Sequence, residues 1–385
     1  MTAGRAASPP RVAYVLGTTA GGTGPYVAML ARECATRGMA VRVFGPTETG
    51  QRFFPASTES SPGFAAVAIG EHPRPAHDLA AVLRLRRLLR AWAPDIVHAH
   101  GLRAGGLAAL ALTGRVAGAR GRCALAVTVH NAPPGGGVTG LAYAALERIT
   151  AHRADAVCCV SGDLADRMRR IGARDGGRAL VPAPEFAPPS AGQIAAVRAS
   201  LGGQHRPVVL AAGRLAAQKG YPVLLAAATR WQDREPVPLL VIAGEGPLAG
   251  PLADQARATG VAVCFLRQRG DVPALLGAAD VVVVPSVWEG QPLIVQEALR
   301  AGRPLVASRA GGIPDLTGEE AAVLVPQGDA AALAAAVQSV LDDPGLAAKL
   351  GAAATRRARQ LPSVGDAVDS VTRLYRRLLG GDPCA

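Results

Sequence analysis

Four side chains have the types and spacing to act together: Arg214, Lys219, Glu289 and Glu297. The apolar run PVVLAAG passes directly into GRLAAQKG, so Arg214 emerges at the carboxyl end of an expected strand and Lys219 stands five residues on, at a helix entrance. Arginine offers a planar fork and lysine a compact point charge, and together they complement a diphosphate whose negative charge grows as the bond to it breaks. Either cation alone would read as a solvated helix terminus. Lys219 stands out because, of 41 basic residues, only it and Lys349 are lysines.

The two glutamates lie in DVVVVPSVWEGQPLIVQEALRAGRP. The buried-strand pattern stops at Pro285, Pro292 suits the first position of a helix, Glu289 falls in the loop between and Glu297 on the helix. At about 1.5 Å per residue Glu297 sits roughly 8 Å along the axis from the first turn, a span like that between a sugar and the ribose of a nucleotide diphosphate. One carboxylate is therefore expected at each. The amides around Gln291 and Leu293 face outward from a helix start, which favours an anion; Pro292 has no amide proton to offer. In isolation both glutamates would be surface residues, but the strand–loop–helix setting makes them a candidate site.

Such a site needs strands that end together. Short β-rich runs (RVAYVL, AVRVFG, DIVHAH, ALAVTVH, AVCCVS, then PVVLAAGRL, PLLVIAGEG, AVCFLRQ, DVVVVPS and RPLVAS) alternate with helical patterns, which predicts α/β units built on parallel sheets. A chain of 385 residues exceeds the usual single-core size. The proline-rich stretch 181–192 breaks the rhythm, so the expected domains are 1–185 and 186–363, with a closing helix at about 364–385 packing back on the first. Two Rossmann-like halves facing a cleft would receive ligands at the carboxyl ends of their strands.

GRLAAQKG, VIAGEGPL and PSVWEGQPLIVQEALRAGRPLVAS followed by GGIPD resemble the family 4 glycosyltransferases of the GT-B fold. The first half is similar to the same family through GGTGPYVAMLARECATRGMAVRVF, DIVHAHG, VTVHN and AVCCVSGDLADRM. The resemblance covers almost the whole chain and implies a retaining transfer from a nucleotide diphosphate sugar with no metal or other cofactor. It places Gly213, Arg214, Lys219 and Gly244 at the donor diphosphate, Glu297 at the ribose hydroxyls and Glu289 at the transferred sugar. The backbone of Gly290, Gln291, Pro292 and Leu293 completes the cradle. Gly21 and Gly22 belong to a loop over the donor, His130 stands at the sugar near the reaction centre, and His100 and Asn131 are acceptor-side candidates. The implied route is front-face attack, in which the departing phosphate oxygen takes the acceptor's proton while the peptide around His130 stabilises developing positive charge. No carboxylate nucleophile is evident for a double displacement. Where the family has an Asn-Gly turn after a strand at 179–182, this chain reads Ala183-Pro184-Glu185-Phe186.

Family base rates point to UDP with glucose or N-acetylglucosamine as donor, GDP-mannose being the other option. They point to small natural-product acceptors, including aminocyclitols such as 2-deoxystreptamine. Nucleotide-sugar epimerases, phosphorylase-like enzymes and non-catalytic sugar-nucleotide binders are the rivals. A dehydrogenase is disfavoured, since GTTAGGTG does not match G-x-G-x-x-G and AVRVFG ends without an acidic ribose ligand. A nucleic-acid partner is not expected: the net charge of +12 is nearly all arginine, and at 4% aromatics there is no stacking platform. His98 and His100 form H-x-H without a third ligand, so no metal is expected.

LRLRRLLRAW, residues 83–92, interleaves arginine with leucine and reads either as a solvated crossover helix or as a membrane-surface helix for a lipid-linked acceptor. The start MTAGRAASPP has no apolar leader core, and six cysteines without C-x-x-C suggest reduced thiols in a cytoplasmic protein.

Overall fold

A computed structural model describes residues 8–17, 22–55, 62–70, 72–113, 116–119, 121–132 and 137–380, which include Gly22 but not Gly21. The chain divides into two compact units, one formed by Met1–Val181 with Pro362–Ala385 and the other by Pro182–Leu361.

In the first unit seven strands form one parallel sheet: β1 Arg11–Leu16, β2 Ala40–Gly45, β3 Gly63–Ala66, β4 Ile96–His100, β5 Ala124–Val129, β6 Ala156–Cys159 and β7 Asp175–Arg178. Their order is β3-β2-β1-β4-β5-β6-β7, so the winding reverses between β1 and β4. The central strands are buried almost throughout, as expected when helices cover both faces. The register pairs Leu16 with His100 and His100 with Thr128, bringing the carboxyl ends of β1, β4 and β5 level. β3 and β7 were not legible as apolar runs; DGGR is a strand only because its backbone pairs with β6. No strand occupies 179–182, since β7 ends at Arg178.

The closing helix Val364–Leu378 belongs to this unit. Ser363 and Asp366 form a capping box at its start, and Ala367, Val368, Val371, Leu374 and Tyr375 are buried at helical spacing.

The second unit repeats the winding with β8 Val208–Ala212, β9 Leu239–Ala243, β10 Val263–Leu266, β11 Val281–Val284, β12 Leu305–Ser308 and β13 Val323–Val325, ordered β10-β9-β8-β11-β12-β13. Its reversal lies between β8 and β11, the strands that lead into GRLAAQKG and PSVWEGQP. Ligands of open parallel sheets bind at such reversals, outside the carboxyl ends.

The Ala183-Pro184-Glu185-Phe186 segment is anchored within the second unit. Ala183 donates its N–H to Gln296 Oε1 at 3.0 Å, and Arg300 Nη1 donates to the Ala183 carbonyl at 2.7 Å. Phe186 packs against that unit's core.

Residues 83–92 form the second half of the helix Pro75–Trp92. It buries Ala81, Val82, Leu85 and Leu89 and turns Leu79, Leu83, Arg84, Arg87 and Arg90 outward. No helix among the described residues is long and apolar enough to cross a membrane.

Candidate active site

The loops after β8 and β11 are tied together by three polar contacts, and a fourth braces the second loop internally. Val287 donates its N–H to the Gln218 carbonyl at 2.8 Å, and Gln218 Nε2 donates to the Trp288 carbonyl at 2.9 Å. Lys219 Nζ donates to Glu289 Oε1 at 2.6 Å, and Ser286 Oγ donates to the same oxygen at 2.7 Å. The backbone allows this approach because Gly220 adopts φ 66° and has no Cβ, which would lie 1.9 Å from the Pro285 carbonyl oxygen. From the far side, Gly312 donates its N–H to the Glu289 carbonyl at 2.9 Å.

Glu289 is therefore a buried carboxylate, its side chain 6% exposed, held by an ammonium and a hydroxyl. Lys219, assigned from sequence to a diphosphate, is here paired with the glutamate assigned to the sugar. Among the described residues Lys219 makes one side-chain hydrogen bond, which uses one of the three donors of an ammonium. Arg214 is exposed and makes no ion pair among the described residues. Gly213 and Gly244 follow the adjacent strands β8 and β9, with the Gly213 N–H donated to the Ala243 carbonyl at 2.9 Å.

The helix Leu293–Arg300 starts one residue later than its sequence suggests, with Pro292 in the capping position before it. Gly290, Gln291 and Pro292 are buried. Glu297 is half-buried on this helix, and its carboxylate makes no hydrogen bond among the described residues. Burial raises its pKa, an effect that Arg300 one turn on partly offsets. A carboxylate desolvated without a partner is suited to accept hydroxyl hydrogen bonds.

The first unit brings together the candidates after β4 and β5. His100 and His130 are buried, with His100 Nδ1 3.0 Å from His130 Nε2, and Asn131 is exposed. His100 is 3% exposed, against 9% for His130. His98 is fully enclosed, with Nδ1 2.7 Å from Tyr375 Oη and Nε2 2.8 Å from Thr128 Oγ1. Tyr375 in turn donates to Tyr14 Oη at 3.0 Å. Both ring nitrogens of His98 are thereby committed to protein, and no metal-holding cluster of His, Cys, Asp or Glu occurs among the described residues. Gly22 is exposed and precedes the helix Thr23–Thr36, and Tyr26 from that helix sets its ring edge-on to both His100 and His130.

Sequence reasoning missed Ser286, Gln218, Thr128 and the tyrosines. A signal existed for the tyrosines. The chain has only five, and Tyr14, Tyr26 and Tyr375 surround the histidines, while Tyr221 lies near enough to Glu289 that the negative charge, after burial, raises its phenol's pKa.

Burial pushes His98 down to about 3 and His130 down to about 4, and lowers His100 as well. Above the ordinary value of about 6.5 folded and unfolded rings are both neutral and the stability is fully present. As pH falls below it, the unfolded chain takes up protons that the folded rings refuse, so stability declines down to the folded values. The urea midpoint is expected to be lower at about pH 5 than at about pH 7.5, and equal midpoints would contradict the neutral cluster.

Residues 21–184 match the family described as glycosyl transferase 4-like domain, and residues 195–357 match glycosyl transferases group 1. The glycogen synthase of Mycobacterium tuberculosis is 32% identical over 88% of this chain and 85% of its own length. The 2-deoxystreptamine N-acetyl-D-glucosaminyltransferase of Streptomyces fradiae is 31% identical over 69% of this chain and 67% of its own. The crystal structure of Anabaena HepE in complex with UDP and glucose superposes with a TM-score of 0.80 at 20% identity, covering 96% of this chain and 100% of that one. With both halves matched, two parallel-sheet units and the Lys219–Glu289 pair at the second sheet's reversal, the chain belongs to the family 4 glycosyltransferases of GT-B fold, which use nucleotide-sugar donors.

Proposed function

We propose that the chain moves a hexose or N-acetylhexosamine from UDP to a hydroxyl of a small acceptor, with retention of anomeric configuration and no required metal or cofactor. The carrying observation is the Lys219–Glu289–Ser286 cluster, flanked by Arg214 and Glu297, which have no ion-pair partner among the described residues. Arg214 and Lys219 stabilise the leaving diphosphate as its charge develops, in place of a divalent ion. Glu297 takes the ribose hydroxyls. Glu289, neutralised by its partners, is a poor nucleophile and serves as a hydrogen-bond acceptor for the sugar, which favours front-face transfer.

An aminocyclitol such as 2-deoxystreptamine is the proposed acceptor class, supported by the name of the Streptomyces fradiae relative. UDP is supported by the HepE complex. Cytoplasmic action agrees with the free cysteines at 34, 123, 158, 159 and 264.

A panel of UDP-glucose, UDP-N-acetylglucosamine and GDP-mannose, each with and without EDTA, tests this reading. A donor that binds only the folded chain raises its melting temperature. The UDP-sugars should do so and EDTA should leave turnover unchanged. A response to GDP-mannose alone would refute the UDP assignment, and epimerisation without acceptor would favour the epimerase rival. NMR of the product should show the donor's anomeric configuration.

A membrane-bound acceptor is a second reading, favoured by the outward face of the Pro75–Trp92 helix, where Leu79 is 60% and Leu83 54% exposed beside Arg84, Arg87 and Arg90. Anionic vesicles should then co-sediment the protein at low salt and release it at high salt. Failure to bind at either salt would remove this reading.

A further inference from the structure

We infer that His100 is a positioning residue that fixes His130 as its Nδ1–H tautomer, so that His130 presents a neutral hydrogen-bond donor to an oxygen of the bound substrate. The tautomer follows from the first unit alone; the use of the N–H rests on the proposal that His130 stands at the transferred sugar.

β4 and β5 build a ladder. The register sets His98 opposite Ala126 and His100 opposite Thr128, and each histidine bonds the side chain two residues beyond its partner, His98 to Thr128 and His100 to His130. Side chains two apart share a strand face, so successive rungs reach in the same direction. The His98 and His100 rings stack with centroids 4.4 Å apart, and the edge of Tyr26 closes on His100 and His130.

A bond between two neutral imidazoles holds one proton, and the other ring nitrogens decide whose it is. If His130 Nε2–H donated to His100 Nδ1, the His100 proton would sit on Nε2, an atom that is buried and has no partner among the described residues. If His100 Nδ1–H donates, that buried atom is a bare lone pair. An orphaned buried N–H is the rarer and costlier defect. The second arrangement therefore holds: His130 accepts at Nε2 and carries its proton on Nδ1. Burial keeps both rings neutral. His130, 9% exposed against 3% for His100, is the ring of the pair left to meet a ligand, through Nδ1–H. It then donates to a hydroxyl or phosphate oxygen lone pair and has no free basic nitrogen with which to remove a proton.

The test is a two-bond proton–nitrogen spectrum of protein labelled with 15N-histidine at about pH 7.5, with His130 assigned by its loss in His130→Asn. The expected result is a protonated Nδ1 and an unprotonated Nε2 at His130. His100→Ala should release that pattern toward Nε2–H. His100→Asn should restore it, because the carboxamide N–H stands where Nδ1–H did. In turnover, His100→Ala should lower kcat on the order of tenfold with little change in donor KM, by analogy with the loss of the outer partner that orients a metal-bound histidine, and His100→Asn should recover most of it. An Nε2–H signal from wild-type His130, or an unchanged spectrum in His100→Ala, would overturn the inference. The expected spectra with normal turnover in both His100→Ala and His130→Asn would instead overturn the placement of His130 at the sugar.

Discussion

Lys219→Ala is expected to lower turnover by on the order of 10²-fold or more, because a preorganised cation at a leaving group acts mainly in the transition state. The same substitution leaves Glu289 buried beside Ser286 alone. Breaking a buried ion pair costs about 3–5 kcal/mol, and the lower end applies because Lys219 keeps 24% exposure. Loss of activity could then be confused with loss of structure. Adding Glu289→Gln to Lys219→Ala separates them: the double variant has no uncompensated charge, so its melting temperature should recover, and its turnover should fall well below that of Glu289→Gln alone. Lys219→Arg should be intermediate, since a guanidinium keeps the charge but not the compact geometry. Near-normal turnover in Lys219→Ala, measured at saturating donor, would remove Lys219 from the chemistry.

The second large effect is expected at Gly220. It stands between the 3-10 turn Ala217–Lys219 and the helix Tyr221–Ala228, with φ 66° and the Pro285 carbonyl where a Cβ would go. Gly220→Ala adds left-handed strain of about 1–2 kcal/mol and a clash that parts the two loops. The Val287–Gln218 and Lys219–Glu289 contacts should weaken together, with turnover falling at least tenfold. Gly38→Ala is the control, since Gly38 has φ 83° but nothing within 4 Å of the added methyl. It carries the strain without the clash, so its loss in a urea titration should be clearly smaller and its turnover unchanged. Equal effects of the two substitutions would mean that the loops do not depend on close approach.

Gln296 and Arg300, which flank Glu297 on one short helix, hold Ala183, so this helix serves both the departure from the family's Asn-Gly turn and the candidate ribose site. Neither bond could be read from sequence, because Gln296 lies 113 residues beyond Ala183.

What the sequence by itself determined were the strands and the ends of strands. RVAYVL, ALAVTV, VVLAA and VVVV are apolar but for Arg11 and Thr128, and the residues just past them, His130 and the loops carrying Arg214 and Glu289, follow from chain order and the rule that ligands gather there. Glycosyltransferase membership was legible in the same motifs. Tertiary structure decided the pairings. That β8 lies beside β11, across a strand order no local pattern encodes, puts Lys219 2.6 Å from Glu289 and makes them an ion pair where they had read as separate ligands. The β4–β5 register likewise sets His100 Nδ1 3.0 Å from His130 Nε2, a contact between two candidates that had read as separate. Periodicity reports which face of an element is buried, but a hydrogen bond between loops depends on how the strands of a sheet are ordered and aligned. Only long-range packing sets that.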